Sequence, residues 1–248
     1  MYNFASMSIS KNELRQVRSL SQKKFRDETG LFVVEGGKMV AEAQASGFEV
    51  VKVYRREDIG EDAMERLSSL SSPSPVLAVV RKPSRTGFQP ASGLYLALDG
   101  IRDPGNLGTI LRIADWFGID AVIASEDTVD LYNPKVVQAT MGAIFRVPFH
   151  SLDIPSFCRS VLAAGGHVYG TFLDGQNLYQ RTLDCGAAAP SVIVIGNESN
   201  GISGETAACV SDRLYIPPYP ADDPGSESLN AAVATAITVA EFRRRQSE

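Results

Sequence analysis

The sequence predicts an α/β protein whose larger part is built on a parallel β-sheet. Short apolar runs recur along the chain, and between them apolar residues return at helical spacing. Strands buried on both faces read as continuous apolar runs, and the helices between them provide the crossovers of a parallel sheet. Hydrophobic residues make up 44% of the 248 residues, which is enough for a packed core. This length is compatible with one large domain or with two smaller ones.

A break in the pattern divides the chain. Residues 83–93 contain two prolines, two glycines and few apolar side chains, a composition typical of a linker. We therefore predict a first domain over residues 1–83, a linker over 84–93 and a second domain over 94–248.

The first domain is predicted to be a small α/β/α unit. Ser10 and Glu13 have the spacing of a capping box, and apolar residues then follow on one helical face. Further along, the pattern predicts strands over 31–35, 50–54 and 76–80, with helices over 38–46 and 62–70 between them.

The second domain is predicted to hold the parallel sheet. Its predicted strands are 94–98, 121–124, 167–172, 192–195 and 213–216, and its predicted helices are 107–117, 134–145, 156–164 and 202–210. In sheets of this kind, ligands bind where loops leave the carboxyl ends of the strands. Three such loops in the second domain are therefore the candidate ligand-binding sites.

Charge is distributed unevenly along the chain. The net charge of −5 by itself argues against a nucleic-acid partner, but residues 1–83 carry +2 and residues 84–248 carry −7. Residues 11–26 alone carry +5. A solvated helix face is the commoner meaning of such a run, and a surface for RNA phosphates is the functional one. The candidate phosphate contacts are Arg15, Arg18, Lys23, Lys24 and Arg26.

Cysteine and histidine usage predicts neither a disulfide framework nor a metal site. The three cysteines are widely spaced, which favours reduced and mostly buried thiols. The two histidines form no cluster with the cysteines at metal-ligand spacing. No apolar run is long enough to cross a bilayer, and the first residues lack a signal-peptide pattern, so we expect a cytoplasmic protein.

The first loop follows the predicted strand 94–98 and leads into a helix. Asn106 is a natural N-cap for that helix. Arg112 lies near its second turn, off the apolar face, where it could form a surface salt bridge or act on a ligand. The glycines around Asn106 do not match the G-x-G-x-x-G pattern of dinucleotide-binding proteins.

The second and third loops follow two other predicted strands. Gly196, Asn197, Glu198 and Gly201 form the second, where Glu198 either stabilises the next helix N-terminus or faces a ligand. The third begins at Ile216-Pro217 and ends at Ser228-Leu229-Asn230, with Ser228 as a plausible N-cap for the closing, alanine-rich helix.

Together these loops resemble the motifs of the SpoU (TrmH-like) family of RNA 2′-O-ribose methyltransferases. Asn106 and Arg112 match an Asn with an Arg six residues on, and Gly196, Glu198 and Gly201 match G-x-E-x-x-G. The third loop matches I-P followed by S-L-N and a helix of small residues. Each motif alone is weak, whereas three in the family's order are specific. The resemblance covers residues 94–245 and extends to 31–38, in a region where the family often carries a small ribosomal-protein-like RNA-binding domain.

The resemblance implies a parallel sheet with a C-terminal trefoil knot, a homodimer with active sites near its interface, and S-adenosylmethionine as methyl donor. It implies donor contacts at Thr171, Gly196, Asn197, Ile216 and Leu229, largely through backbone groups. The catalytic set that it implies is Arg112, Asn106, Glu198, Ser228 and Asn230. Two departures from the family pattern are a long stretch over 217–225, and Gln138 and Thr140 where a basic residue and a serine are common.

The expected reaction is an in-line attack of a ribose 2′-oxygen on a sulfonium methyl group, in which alignment and loss of the hydroxyl proton matter most. The family assigns proton removal to the arginine matching Arg112. Because a guanidinium is a poor base, holding the target phosphate and the developing alkoxide is the alternative role. The substrate is structured RNA, either rRNA or, less favoured, tRNA. A nucleotide-binding oxidoreductase, an RNA-binding protein without activity, and methyl transfer to a base are the competing functions.

Overall fold

The computed structural model describes residues 9–84, 87–220 and 227–246. It forms two compact units, one of residues 9–84 with 130–146 and the other of the remaining described residues. Two linker residues, 85 and 86, and part of the long stretch over 217–225 lie outside the described residues.

The first unit contains a three-stranded antiparallel sheet. Its elements up to residue 84 are α1 (Lys11–Ser19), α2 (Lys23–Thr29), β1 (Leu31–Glu35), α3 (Gly37–Ala45), β2 (Val50–Arg55), α4 (Arg56–Ile59), α5 (Glu61–Leu67) and β3 (Val76–Arg81). The strand order is β1–β3–β2. Ser10 accepts a hydrogen bond from the Glu13 N–H at 3.2 Å, which confirms the predicted helix start. The helix α2 was not predicted, because its charged residues leave only Phe25 as an apolar position.

The rest of the chain alternates strands and helices as predicted. In chain order the elements are β4 (Gly93–Asp99), α6 (Pro104–Trp116), β5 (Ala121–Ala124), α7 (Pro134–Ala139), β6 (Phe149–Ser151), α8 (Ile154–Ala163), β7 (His167–Asn177), β8 (Pro190–Gly196), α9 (Gly204–Ala207), β9 (Asp212–Tyr215) and α10 (Ala231–Gln246). The short strand β6 is the one that the apolar pattern did not indicate.

The second unit is built on a six-stranded sheet in the order β6–β5–β4–β8–β7–β9. Every neighbouring pair is parallel, which confirms the predicted class. The chain order reverses between β4 and β8, and the two strands end in register, with Asp99 opposite Gly196. The first and second loops therefore leave the sheet side by side, at the kind of crevice where such sheets bind ligands.

The segment 130–146 belongs to the first unit, although we assigned it from sequence to the domain over 94–248. The Tyr132 ring lies 4.7 Å from that of Phe32, and the Phe145 ring lies 5.2 Å from that of Phe48. The helix predicted over 134–145 ends at Ala139, because Met141 and Gly142 adopt positive φ angles of 51° and 96°. Whether 1–83 and 94–248 fold as independent domains stays a prediction.

The three cysteines are free thiols, as predicted. Cys158 is buried between α8 and the sheet, and burial raises its pKa to about 12. Within the described ranges, no helix is long and apolar enough to span a bilayer. In the same ranges, no three His, Cys, Asp or Glu side chains gather where they could hold a metal ion.

Candidate active site

The helix α6 begins three residues earlier than predicted. Asp103, not Asn106, is its N-cap: its carboxylate accepts from the Asn106 N–H at 2.8 Å, and Pro104 occupies the first turn. The prediction that Asn106 caps the helix was therefore wrong. Because Asp103 takes the capping role, the Asn106 amide is free to make other bonds.

The Asn106 side chain joins the first loop to the other two. Its Nδ2 donates to Glu198 Oε1 at 2.6 Å, and its Oδ1 accepts from Asn230 Nδ2 at 2.9 Å. The structure thus brings three predicted site residues from distant parts of the sequence into one hydrogen-bonded trio, Glu198–Asn106–Asn230.

Asn230 also caps α10. Its Oδ1 accepts from the N–H groups of Ala232 at 2.9 Å and Val233 at 3.3 Å. The predicted cap at Ser228 was wrong, because α10 begins at Ala231 and Ser228 lies outside it. Ser228 is exposed and makes no hydrogen bond with the described part of the chain, so its hydroxyl is open to solvent.

Asn197 uses its polar groups to shape the second loop. Its Nδ2 donates to Gly100 O at 2.7 Å, and its Oδ1 accepts from Ser199 N at 2.9 Å and Asn200 N at 3.2 Å. Its backbone exchanges two hydrogen bonds of 2.9 Å with Gly201. Asn197 therefore fixes the loop that contains Glu198. Its side chain has little hydrogen-bonding capacity left for a bound S-adenosylmethionine.

The remaining donor positions lie along the carboxyl edge of the second unit. Thr171 pairs with Leu214 in the sheet, two residues before Ile216, and Gly196 ends β8. A Cβ on Gly196 would overlap the backbone of Gly201, so a side chain there is excluded. The backbone groups of Ile216 and Leu229 make no hydrogen bond with the described part of the chain. Their N–H and C=O groups remain available to a ligand.

Arg112 is not part of the trio. The exposed positions of α6 recur at Gly105, Thr109, Arg112 and Trp116, one stripe along the helix. Six residues separate Arg112 from Asn106, which places them about 120° apart around the axis. Because α6 starts at Pro104, Arg112 lies beyond the second turn. Its guanidinium has neither an ion pair nor a hydrogen bond within the described residues, so the surface salt bridge considered from sequence is not formed.

In the first unit, the prediction that Arg26 contacts RNA phosphates was wrong. Its side chain is 3% exposed and pairs with Asp130 at 2.6 Å. Its Nη1 also donates to the carbonyls of Leu20 and Ser21, each at 2.8 Å. A buried guanidinium with four of its five N–H groups engaged cannot reach a phosphate, so Arg26 is structural. The neighbours Lys23 and Lys24 are exposed and pair with Asp27 and Glu28 one turn along α2.

Arg15 and Arg18 do lie on a recessed surface. They line a cavity of about 1170 Å³ between α1 and α5, together with Lys11 and Arg66. These four cations are exposed and unpaired within the described part of the chain. We call this surface the α1–α5 groove. Sequence reasoning missed Arg66, because only the folded unit places α5 beside α1.

Two protein families match the chain, and they meet near the predicted linker. The SpoU rRNA methylase family matches residues 93–240. The MRM3-like substrate binding domain matches residues 11–82.

A curated relative covers nearly the whole chain. The 23S rRNA (guanosine(2553)-2′-O)-methyltransferase RlmP of Bacillus subtilis is 30% identical over 95% of this chain and 98% of its own.

Two solved structures agree with this match. A TrmH-family RNA methyltransferase from Porphyromonas gingivalis superposes with a TM-score of 0.84 at 38% identity, over 96% of this chain and 99% of its own. An AdoMet-bound rRNA methyltransferase from Sinorhizobium meliloti superposes with a TM-score of 0.86 at 30% identity, over 96% and 97%. The resemblance drawn from the three loops is confirmed: the chain belongs to the SpoU rRNA methylase family and is an RNA methyltransferase.

Proposed function

We propose that this enzyme transfers a methyl group from S-adenosylmethionine to a ribose 2′-hydroxyl of ribosomal RNA. The observation that carries the proposal is the Glu198–Asn106–Asn230 trio, which ties the three family motifs together at the carboxyl edge of the sheet. The relatives support the substrate and the donor, since one is named for 2′-O-methylation of 23S rRNA and another holds AdoMet. Transfer RNA is the less favoured substrate.

The residues at the sheet edge fit the methyl donor. Gly196 lets the backbone of the second loop fold closely against the end of β8, and the backbone groups of Ile216 and Leu229 make no hydrogen bond within the described residues. Thr171 lies at the same edge of the sheet on β7, where it pairs with Leu214 of β9. The donor supplies an electrophilic methyl group on a positively charged sulfur. Asn197 contributes indirectly, because it fixes the loop between Gly196 and Gly201.

The protein's own task is to align the ribose and to assist loss of its proton. The trio fixes one carboxylate and two amides, and the Ser228 hydroxyl remains open to a substrate. A guanidinium is in general a poor base, so removal of the hydroxyl proton is an unsuitable task for Arg112. We assign it to gripping the target phosphate and stabilising the alkoxide as it forms.

A homodimer would let Arg112 of one copy complete the site of the other, because Arg112 makes no hydrogen bond to the trio of its own chain. Arg112 shares its stripe with Trp116, which is 86% exposed. On α10, Val233, Ala236, Ile237 and Ala240 form a partly exposed apolar stripe at helical spacing. A second copy covering these faces would bury them and bring its Arg112 toward the trio of the first. The trefoil knot and the cytoplasmic location belong to the same proposal, supported by family membership and by the bacterial relative that acts on rRNA.

The α1–α5 groove is the proposed docking surface for the RNA backbone. Four unpaired cations face two carboxylates there, Glu61 and Asp62, and Glu61 already pairs with Arg56. Unpaired arginines can release counterions from RNA without first breaking a protein ion pair. Lys23 and Lys24 extend the basic surface, although each would have to leave its partner on α2.

Transfer of a labelled methyl group into total RNA from cells that lack the protein tests the function. We expect label in one rRNA and protection of a single phosphodiester from alkali, because a 2′-O-methyl group blocks cleavage there. Label recovered in mononucleotides after alkaline hydrolysis, with the methyl group on the base, would instead indicate base methylation. Label confined to tRNA would replace the substrate.

A further inference from the structure

The turn that starts the first loop is held on one side by Asn197 of the second loop and on the other by Ser125, which lies outside the family motifs. Gly100 adopts a φ of 74°, and its N–H donates to Ser125 Oγ at 2.9 Å. Its carbonyl accepts from Asn197 Nδ2 at 2.7 Å. A Cβ on Gly100 would lie 3.1 Å from Asp127 Oδ2, so the turn is packed against this carboxylate.

Ser125 is itself fixed by the loop that follows β5. Its hydroxyl donates to Asp127 Oδ1 at 2.6 Å, and Thr128 Oγ1 lies 3.0 Å from Ser125 Oγ. Its backbone N–H donates to Leu98 O at 3.0 Å. With its proton directed to Asp127, the Ser125 oxygen presents its lone pairs to Gly100 N–H.

These contacts form a continuous series that ends in the trio. Asp127 orients the Ser125 hydroxyl. Ser125 and Asn197 bind the N–H and the carbonyl of Gly100, and Asn197 precedes Glu198 in the second loop. Glu198 then accepts from Asn106, six residues beyond the Gly100 turn. All of these residues belong to the second unit.

We propose that Ser125 and Asp127 are positioning residues for methyl transfer, which act by setting the Gly100 turn and through it the distance between Asn106 and Glu198. The inference rests on the function proposed above for that pair. Neither residue needs to touch RNA or donor. A displacement of the pair by about 1 Å is enough to cost up to roughly a hundredfold in rate, because in-line transfer depends on alignment.

The test compares steady-state kinetics of Ser125→Ala, Ser125→Thr and Asp127→Ala in the full-length enzyme. Ser125→Ala should lower kcat by about tenfold to a hundredfold, with unchanged KM for RNA and unchanged donor affinity by calorimetry. Ser125→Thr keeps the hydroxyl and should restore most of the rate. Asp127→Ala should give a smaller loss, and Glu126→Ala, which removes the adjacent exposed carboxylate, should give none.

A double substitution separates this inference from the proposed site. If Ser125 acts through Glu198, then Ser125→Ala should cost nothing further in a Glu198→Ala enzyme. If the double variant lost kcat by the product of the two single losses, the two residues would act independently and the positioning role would be overturned. A Ser125→Ala enzyme with full kcat would also overturn it. A Glu198→Ala enzyme with wild-type activity would instead overturn the proposed site itself. If Ser125→Ala lowers the melting temperature, Asp127→Ala provides the same cycle at an exposed position.

Discussion

Asn230 Nδ2 donates to Asn106 Oδ1 at 2.9 Å, although 124 residues separate the two in sequence. Asn106 in turn donates to Glu198, so both ends of one amide are engaged. An amide is the group that can accept from one partner and donate to a carboxylate on the other side. This relationship gives the Asn106 amide a role that does not depend on capping a helix.

Asn106→Asp should therefore inactivate the enzyme without unfolding it. A carboxylate in place of the amide would face Glu198 at hydrogen-bond distance, and two like charges would push the loops apart. We expect kcat to fall by roughly a hundredfold, since alignment is lost. Asn200→Asp makes the same change in the neighbouring loop, at a side chain without such a bond, and should retain activity. Equal losses in both variants would show that the added charge alone is responsible.

Arg112 should contribute to the rate rather than to donor binding or stability. Arg112→Ala removes an exposed side chain with no partner in the described part of the chain, so melting and donor affinity should be unchanged. Methyl transfer should fall by roughly a hundredfold or more, the usual effect of removing one charge-stabilising donor. Arg112→Lys should also be impaired, because lysine lacks the planar fork that grips a phosphate. Wild-type turnover of Arg112→Ala would make Arg112 an ordinary surface residue.

A mixture of two inactive variants tests whether the sites are shared between copies. Arg112→Ala and Glu198→Ala chains, unfolded and refolded together, should regain up to about a quarter of wild-type activity, since half of the dimers are mixed and each then has one intact site. No recovery would place Arg112 and Glu198 in the same chain's site.

The single tryptophan provides an independent check on the dimer. Trp116 is 86% exposed in one copy, so burial at an interface should shift its emission to shorter wavelength as concentration rises. Trp116→Glu should favour the monomer in analytical ultracentrifugation. A wild-type enzyme that is monomeric at all concentrations would contradict the proposed arrangement.

The α1–α5 groove should dominate the salt dependence of RNA binding. Changing Arg15, Arg18 and Arg66 together to Ala should reduce the slope of log Kd against log salt by up to about three. Arg81, which is exposed but pairs with Glu49, is the matched control and should change the slope little. An unchanged slope in the triple variant would return these arginines to the role of a solvated helix face.

Arg26 should matter for stability rather than for RNA. Arg26→Ala leaves Asp130 without its partner and two carbonyls without donors, so the free energy of unfolding should drop by about 3–5 kcal/mol. Lys24→Ala breaks an exposed ion pair with Glu28, one helical turn away, and should lower the free energy of unfolding by less than about 0.5 kcal/mol. Urea unfolding of the two variants measures the difference. Loss of RNA affinity in a fully stable Arg26→Ala protein would reverse this assignment.

Local patterns were sufficient for much of the fold and for the family. Continuous apolar runs predicted five of the strands in the parallel sheet, since burial on both faces leaves a direct mark on the sequence. The motif residues Asn106, Glu198 and Asn230 were also identified, because the three loops that contain them resemble the family's motifs in residues and in order. The cap predicted at Ser10 was confirmed, but the caps predicted at Asn106 and Ser228 were wrong for a related reason. Asp103 and Asn230 lie close to them in sequence, and only the folded backbone decides which side chain faces the free N–H groups.

What the sequence determined by itself was therefore the α/β class, the parallel sheet and the set of candidate residues. The tertiary structure alone decided which of them meet. It paired Asn106 with Glu198 and Asn230, left Arg112 without a hydrogen bond to any of the three, and buried Arg26 against Asp130. It also showed that Ser125 supports the Gly100 turn. The reason is physical: helices and strands follow from residues a few positions apart, whereas a hydrogen bond or buried ion pair between residues about a hundred positions apart depends on how the sheet and loops pack.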